Sequence, residues 1–275
     1  MISEEDDIEV NGPLAEQLQV QDGEAQAADI DVAHINIHSV AVAEQLRQQD
    51  YHIASIDSKV VIRQLPSQGL SFQLWPAATT LVTLLDGHRS HPATSPLSAL
   101  LSAQLGRPLR ILELGSGTGL VGIAASAILG AHVTVTDLPH VLPNLRFNVE
   151  VNSSVLALHG GSVDVAALSW GDIEDMKVIR GECDLVLGSD VVYHDHLYDP
   201  LLQTLRFFLL GGEKRRMVFV MAHMRRWKKE STFFKRAKKH FDVDLIHADA
   251  PSNGARVGVQ VYRFAAKRNK SAPSS

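Results

Sequence analysis

Leu112-Glu113-Leu114-Gly115-Ser116-Gly117-Thr118-Gly119-Leu120 is the stretch whose reading decides the fold. An apolar run from Leu109 to Leu114 leads into it, and a small-residue pattern of helical character, Leu120 to Leu129, leads out. That order predicts a buried strand, a glycine-packed turn and the start of a helix. Glycine has no Cβ, so such a turn lets backbone N–H groups come close to a ligand at the head of the helix. The stretch therefore points to a nucleotide-like cofactor resting on the turn.

Downstream, strands and helices alternate. Expected strands cover Ala131–Thr136, the neighbourhood of Val155–Leu158, Cys183–Gly188, Met217–Met221, Val243–Ile246 and Val259–Phe264. Expected helices cover Leu138–Val151, His196 to about Leu210, and Lys228–His240. Continuous apolar strands separated by helices predict a mainly parallel sheet covered on both faces. Leu109–Leu114 brings the number of expected strands to seven. The last two are joined by a link with Pro251 and Gly254 and no helical pattern, which favours an antiparallel pair at that edge.

Upstream, Lys59–Leu65 and Leu70–Leu74 alternate apolar and polar residues around a turn of Pro66, Ser67 and Gly69, which reads as a hairpin. Trp75-Pro76 opens a helix, with proline suited to its first turn. A further helix is expected from Ser95 or Pro96 to near Gly106. The division expected is an acidic, disordered leader over 1–33, a small β extension over 34–74, a cofactor-binding α/β domain over 75–266, and a flexible basic tail over 267–275.

The net charge of −5 hides an asymmetry. Residues 1–46 hold 11 of the 31 acids and none of the 26 Lys and Arg, so the remainder is 26 − 20 = +6. A basic stretch runs from Arg206 to His240 and is densest at Arg225-Arg226-Trp227-Lys228-Lys229. It suits a solvated helix face, an acidic protein partner or nucleic acid. One cysteine, Cys183, rules out an internal disulfide and fits a reducing compartment. With no signal-peptide pattern and no membrane-length apolar run, the expectation is a cytoplasmic protein, nuclear as an added site, acting as a monomer away from membranes.

Ligands of open α/β sheets bind beyond the carboxyl ends of the strands. The residues collected there are Glu113 and the glycine turn, Asp137, Trp170-Gly171-Asp172, and Ser189, Asp190 and Tyr193. Gly117 to Gly122 matches G-x-G-x-x-G, and Asp137 follows Gly117 by 20 residues, the usual ribose position. Alone, that pattern fits NAD, FAD or another nucleotide. Glu113 narrows it, because a carboxylate at the strand end suits a cationic or hydrogen-bond-donating group better than a pyrophosphate. Asp137 also reads as a helix N-cap, with Pro139 just after it, and the two roles are compatible. His194 and His196 flank Asp195, a spacing that does not put three metal ligands on one helix face.

Glu113 to Gly119 resembles the first motif of the seven-strand, class I S-adenosylmethionine-dependent methyltransferases. Four further stretches resemble the small protein-lysine methyltransferases of methyltransferase family 16. These are Trp75-Pro76-Ala77-Ala78, Thr136-Asp137-Leu138-Pro139 with Asn144 and Asn148, Leu168-Ser169-Trp170-Gly171, and Leu187-Gly188-Ser189-Asp190-Val191-Val192-Tyr193. The resemblance covers about Val60 to Phe264. It implies a Rossmann-like mixed sheet of seven strands with the seventh antiparallel, S-adenosylmethionine as cofactor and S-adenosylhomocysteine as product. It also implies transfer to lysine of a protein of the chaperone or translation-factor type. It further implies that Trp75 covers the methionine end, that Gly115, Ser116 and Gly117 approach by backbone, and that Asp137, with Leu138 beside it, accepts from the ribose. Trp170 would border the adenine and Ser189 the cofactor floor. Asp190 and Tyr193 correspond to the D-x-x-Y pattern beside the substrate amine. Enzymes that methylate nucleobase amines often carry Asn-Pro-Pro-Tyr where this chain has Ser189 to Tyr193, which argues against that substrate. Methylation of a small molecule or RNA, and cofactor binding without catalysis, are the alternatives.

Overall fold

Alternation around Val60 and Ile62 produces a hairpin of β1 (Gln48–Ile53) and β2 (Ser58–Arg63). The computed structural model describes residues 48–101, 107–179, 183–211, 217–251 and 257–267. The expected acidic leader, and all of the basic tail but Lys267, lie outside these residues. The partner of β2 is β1, not Leu70–Leu74 as the alternation suggested. Leu70–Phe72 is a 3-10 turn closed by Leu65 N–H donating to the Phe72 carbonyl at 2.7 Å. Phe72 is buried against Leu65 and Val141, so the alternation there reports burial under a loop.

Helix α1 (Pro76–Ser90) begins where expected, with extended Trp75 before Pro76. Its face of Ala77, Leu81 and Leu85 is buried. A short helix, α2 (Ser98–Leu101), follows; the rest of its expected length lies outside the described residues. Then come β3 (Arg110–Leu114), α3 (Leu120–Leu129), β4 (His132–Asp137), α4 (Leu142–Val151), α5 (Ser153–Leu158) and β5 (Ser162–Ala167). They are followed by α6 (Ile173–Ile179), β6 (Leu185–Ser189), α7 (Tyr198–Leu210), β7 (Val218–His223), α8 (Ser231–Ala237), β8 (Phe241–Ala248) and β9 (Gln260–Ala266).

Seven strands form one sheet in the order β5-β4-β3-β6-β7-β9-β8. β9 inserts between β7 and β8 and runs antiparallel to both, while the remaining pairings are parallel. Ile111 of β3 faces the core beneath α1 and α3, and Leu112 and Leu114 face the core beneath α7 and α8. A strand buried on both faces reads as a continuous apolar run, as this one does.

Two assignments differ from expectation. Val155–Leu158 is helical, not a strand; Leu156 is buried and Leu158 is 74% exposed. Short apolar runs do not distinguish the two states by pattern, and the edge strand β5 carries the more polar sequence Ser162–Ala167. Helix α4 starts at Leu142, four residues late, because Val141 N–H bonds the Leu138 carbonyl in a turn and Pro143 suits a first helical turn.

The hairpin is attached to the domain by asparagines spaced four apart, and so on one helical face: Asn144, Asn148 and Asn152. Asn152 accepts from Val61 N–H at 2.9 Å and donates to the Val61 carbonyl at 2.7 Å. Asn148 does the same with Arg63 (2.8 and 3.1 Å) and also donates to the Thr118 carbonyl. Asn144 accepts from Arg63 Nε, whose guanidinium lies 3.6 Å from the Phe147 ring centre. These side-chain amides satisfy the free edge of β2 as another strand would. Asn148→Ala leaves Arg63 N–H and the Thr118 carbonyl without these partners and the Arg63 carbonyl with the longer bond from Asn144 Nδ2, at 3.3 Å. Urea denaturation of the variant should show a loss of roughly 2–3 kcal/mol of stability.

Candidate active site

The turn after β3 is bolted to the end of β4. Ser116 N–H donates to the Thr136 carbonyl at 2.8 Å, Thr136 N–H donates back to Ser116 Oγ at 3.0 Å, and Thr136 Oγ1 donates to the Glu113 carbonyl at 2.6 Å. Gly115 and Gly117 hold left-handed conformations, φ 59° and 55°. A Cβ on Gly115 would sit 2.9 Å from the Trp170 ring, so Trp170 lies over the turn. One on Gly117 would sit 3.0 Å from the Ser71 carbonyl, so the segment leading to Trp75 lies over it too.

Asp137 is buried at the tip of β4. Its two oxygens accept from Gly117 N–H and Leu138 N–H, both at 2.8 Å. Burial pushes its carboxyl pKa up, against the two hydrogen bonds that favour the anion. Each oxygen of a carboxylate has two lone-pair sites, so acceptor capacity for a pair of hydroxyls is left. Leu138 is 42% exposed beside it.

Glu113 is fully buried and turned into the interface between β3 and α3, where Oε2 accepts from Gly122 N–H at 3.0 Å. A Cβ on Gly122 would come within 2.6 Å of that oxygen, which is why this helix position carries glycine. Burial pushes the Glu113 pKa up to about 8. Its Oε1 is buried without a hydrogen-bond partner among the described residues.

At the end of β6, Ser189 is half-buried and Asp190 is buried with φ 53°, a conformation uncommon for a residue with a side chain. Asp190 Oδ1 accepts from Met224 N–H at 2.9 Å and lies 3.5 Å from His223 Nδ1. Asp190 Oδ2 accepts from Arg226 Nη2 at 2.9 Å. The Arg226 guanidinium lies 4.9 Å from the Trp75 ring centre, and Trp75 Nε1 donates to the Leu70 carbonyl. Behind Asp190, His223 Nε2 is 3.1 Å from Glu230 Oε2, which also accepts from Arg226 N–H. Burial raises the Asp190 carboxyl, but the neighbouring His223 ring and the hydrogen-bonded Arg226 guanidinium overcome it and hold the group below the usual range. Burial lowers His223, and its two carboxylate neighbours more than reverse that.

Tyr193 is partly buried; burial and then the charge of Asp137 push its phenol up, so it stays neutral. His194 and His196 are exposed, with their rings stacked 5.4 Å apart. The structure thus brings Trp75 to Arg226, which in turn bonds Asp190, and brings Trp170 to Gly115 and Asp137 to Gly117. His223, Arg226 and Glu230 were not singled out from the sequence. His223 stands at the carboxyl end of β7, so the strand-end rule reaches it; Arg226 and Glu230 carry no signal beyond the basic stretch around them.

A profile of lysine methyltransferases matches residues 55–240, more than half of the chain. The chain belongs to the lysine methyltransferase family. It is 39% identical over 169 residues to EEF1A lysine methyltransferase 3 of Mus musculus, covering 61% of this chain and 66% of that protein. Protein N-lysine methyltransferase METTL21A of Xenopus tropicalis is 30% identical over 203 residues, or 74% of this chain and 80% of that one. Protein-lysine methyltransferase METTL21E of Bos taurus is 38% identical, the match spanning 59% of this chain and about half, 52%, of the relative. Among solved structures, a human methyltransferase 10 domain containing protein superposes with a TM-score of 0.50 at 11% identity, over 84% of this chain and 98% of that one, a likeness of fold. The seven-strand fold and the family expected from the five motifs are both borne out.

The family and the class I fold go with S-adenosylmethionine as methyl donor, and this lysine methyltransferase-family chain has residues that fit it. Asp137 retains acceptor capacity, Glu113 offers an orphaned buried oxygen, and the turn has no side chain at Gly115 or Gly117 to hold a ligand off.

Glu113 binds its proton more tightly in the folded chain than at its ordinary value of 4.5. Its contribution to stability is therefore complete below that value and is lost as pH rises toward about 8. Glu113→Gln cannot ionise and removes that part of the slope. In calorimetric scans the melting temperature of the variant should fall less than that of the parent between pH 4.5 and about 8.

Proposed function

We propose that this chain transfers the methyl group of S-adenosylmethionine to the ε-amine of a lysine in another protein. The observation that carries the reading is the pairing, at the carboxyl ends of adjacent parallel strands, of a nucleotide-type turn held by Asp137 with the Asp190–Tyr193 segment. Membership of the family and the names of the relatives support it. EEF1A, named in one relative, is the first acceptor to try. The single cysteine suits action in the cytosol.

The bound cofactor supplies a methyl group on a sulfonium, ready for displacement by a nucleophile. Asp137 takes the ribose hydroxyls, with Leu138 beside it. The Gly115–Gly117 backbone and Glu113 line the turn, and Trp170 borders the base. Trp75 covers the methionine end and Ser189 lines the cofactor floor. Asp190 and Tyr193 orient the incoming lysine. A free lysine amine has a pKa near 10.4, so keeping it neutral at pH 7 costs about 4–5 kcal/mol. Beyond that, acceleration comes from holding the amine in line with the methyl group.

Incubation with labelled cofactor and a cytosolic extract should place label in methyl-lysine, resistant to nuclease. Label in RNA, or none in lysine, would sink the proposal. Asp137→Ala should weaken S-adenosylhomocysteine binding by calorimetry about tenfold or more. Asp190→Asn, which keeps an acceptor for Met224 N–H, should cut transfer roughly a hundredfold while that binding is kept.

A further inference from the structure

Asp190 poses a chemical problem for lysine methylation. A bare carboxylate beside an amine holds it as ammonium. An ammonium has no lone pair with which to attack a methyl carbon. Asp190, however, is not bare. Arg226 Nη2 contacts one of its oxygens at 2.9 Å and His223 Nδ1 stands 3.5 Å from the other. His223 in turn lies 3.1 Å from Glu230, and the side chains of Asp190, His223 and Glu230 are at most 3% exposed. The ring stands between two buried carboxylates, 3.1 Å from Glu230 at Nε2 and 3.5 Å from Asp190 at Nδ1, a field that favours the doubly protonated imidazolium. The cluster then holds two carboxylates, one imidazolium and one guanidinium, with no net charge.

Resting on the reading of the chain as a lysine methyltransferase, we infer that Arg226 and His223 are positioning residues that neutralise Asp190, so that the substrate amine loses its proton beside it at a lower pH. Asp190 can then aim the amine by hydrogen bonding without stabilising its charged form. The proton leaves to water. The nitrogen lone pair forms the bond to the methyl carbon as the carbon–sulfur bond breaks, and that electron pair stays on sulfur.

Trp75, ahead of α1, presents its ring to Arg226 and so helps to hold the guanidinium in place. Phe234 of α8 packs its ring 5.9 Å from His223. Tyr198 of α7 is a phenol kept neutral by burial and by the fields of Glu230 and Asp195, which outweigh that of Arg236. Tyr193 is kept neutral by burial and then by the charge of Asp137.

The test is a pH–rate profile of methyl-lysine formation with labelled S-adenosylmethionine and cytosolic protein extract as acceptor, for the parent chain, Arg226→Gln and Arg226→Lys. Arg226→Gln should move the rising limb up by about one pH unit or more, with rate recovered at high pH. Arg226→Lys should restore the parent profile. S-adenosylhomocysteine affinity should stay within a factor of about three throughout. A merely structural role would lower the rate equally at every pH, and that result, or an unmoved limb, overturns the inference. If the parent labels no lysine at any pH, it is the lysine methyltransferase reading that fails. A measurement independent of any acceptor is nitrogen NMR of the histidine rings, with His223 assigned by its loss in His223→Asn. Both ring nitrogens should still carry protons above the ordinary histidine value of about 6.5, and a ring that is already neutral there overturns the inference.

Discussion

Buried carboxylates that accept backbone N–H groups shape the carboxyl-end face of this protein's sheet. Glu113 takes Gly122 N–H, Asp137 takes Gly117 and Leu138, Asp190 takes Met224, and Glu230 takes Arg226. All four side chains are buried. Removing a carboxylate from water is costly, and hydrogen bonds to an ionised acceptor are about twice as strong as neutral ones. Each carboxylate therefore fixes a segment near a strand end in one geometry. The local balance differs between them. Glu113, with one donor, is driven toward its neutral form. Asp190, with Arg226 and His223 beside it, is held ionised.

That difference gives the carboxyl-end face two kinds of surface. On the β3–β4 side, Asp137 and the glycine turn offer acceptors and bare backbone, the chemistry for sugar hydroxyls and a flat base. On the β6–β7 side, the charges of Asp190, His223, Glu230 and Arg226 cancel over a few ångströms. Trp75 links the two, since the segment before it lies over Gly117 and its ring lies against Arg226. The hairpin helps hold this covering segment, because the asparagine face that captures β2 also ties to Thr118 in the glycine turn. Arg63, whose backbone and side chain both bond that face, stands only two residues before Leu65, which closes the turn with Phe72.

Much of this is written locally in the chain. The glycine turn, α3, the Trp75-Pro76 helix start and Asp137 follow from residue types at short spacing. The central strands, buried on both faces, announce themselves as apolar runs. Where expectation failed, the deciding contacts were distant. Val155–Leu158 has an apolar pattern compatible with either state, and helix wins while the polar Ser162–Ala167 takes the sheet edge beside β4. Leu70–Leu74 alternates because Phe72 fills a pocket with Leu65 and Val141.

By itself, then, the sequence determined the sheet's class, the cofactor turn and the identity of the residues at four strand ends, because glycine conformation, proline placement and strand burial act over a few residues. Only the tertiary structure decided which charges meet. Asp190 and Arg226 are 36 residues apart and Asn148 and Arg63 are 85 apart, and no local spacing encodes either pairing. Arg226 reads in the sequence as one more cation of a basic surface. Folding turns it inward onto a carboxylate and an indole, because the turn from β7 is anchored at Met224, His223 and Glu230.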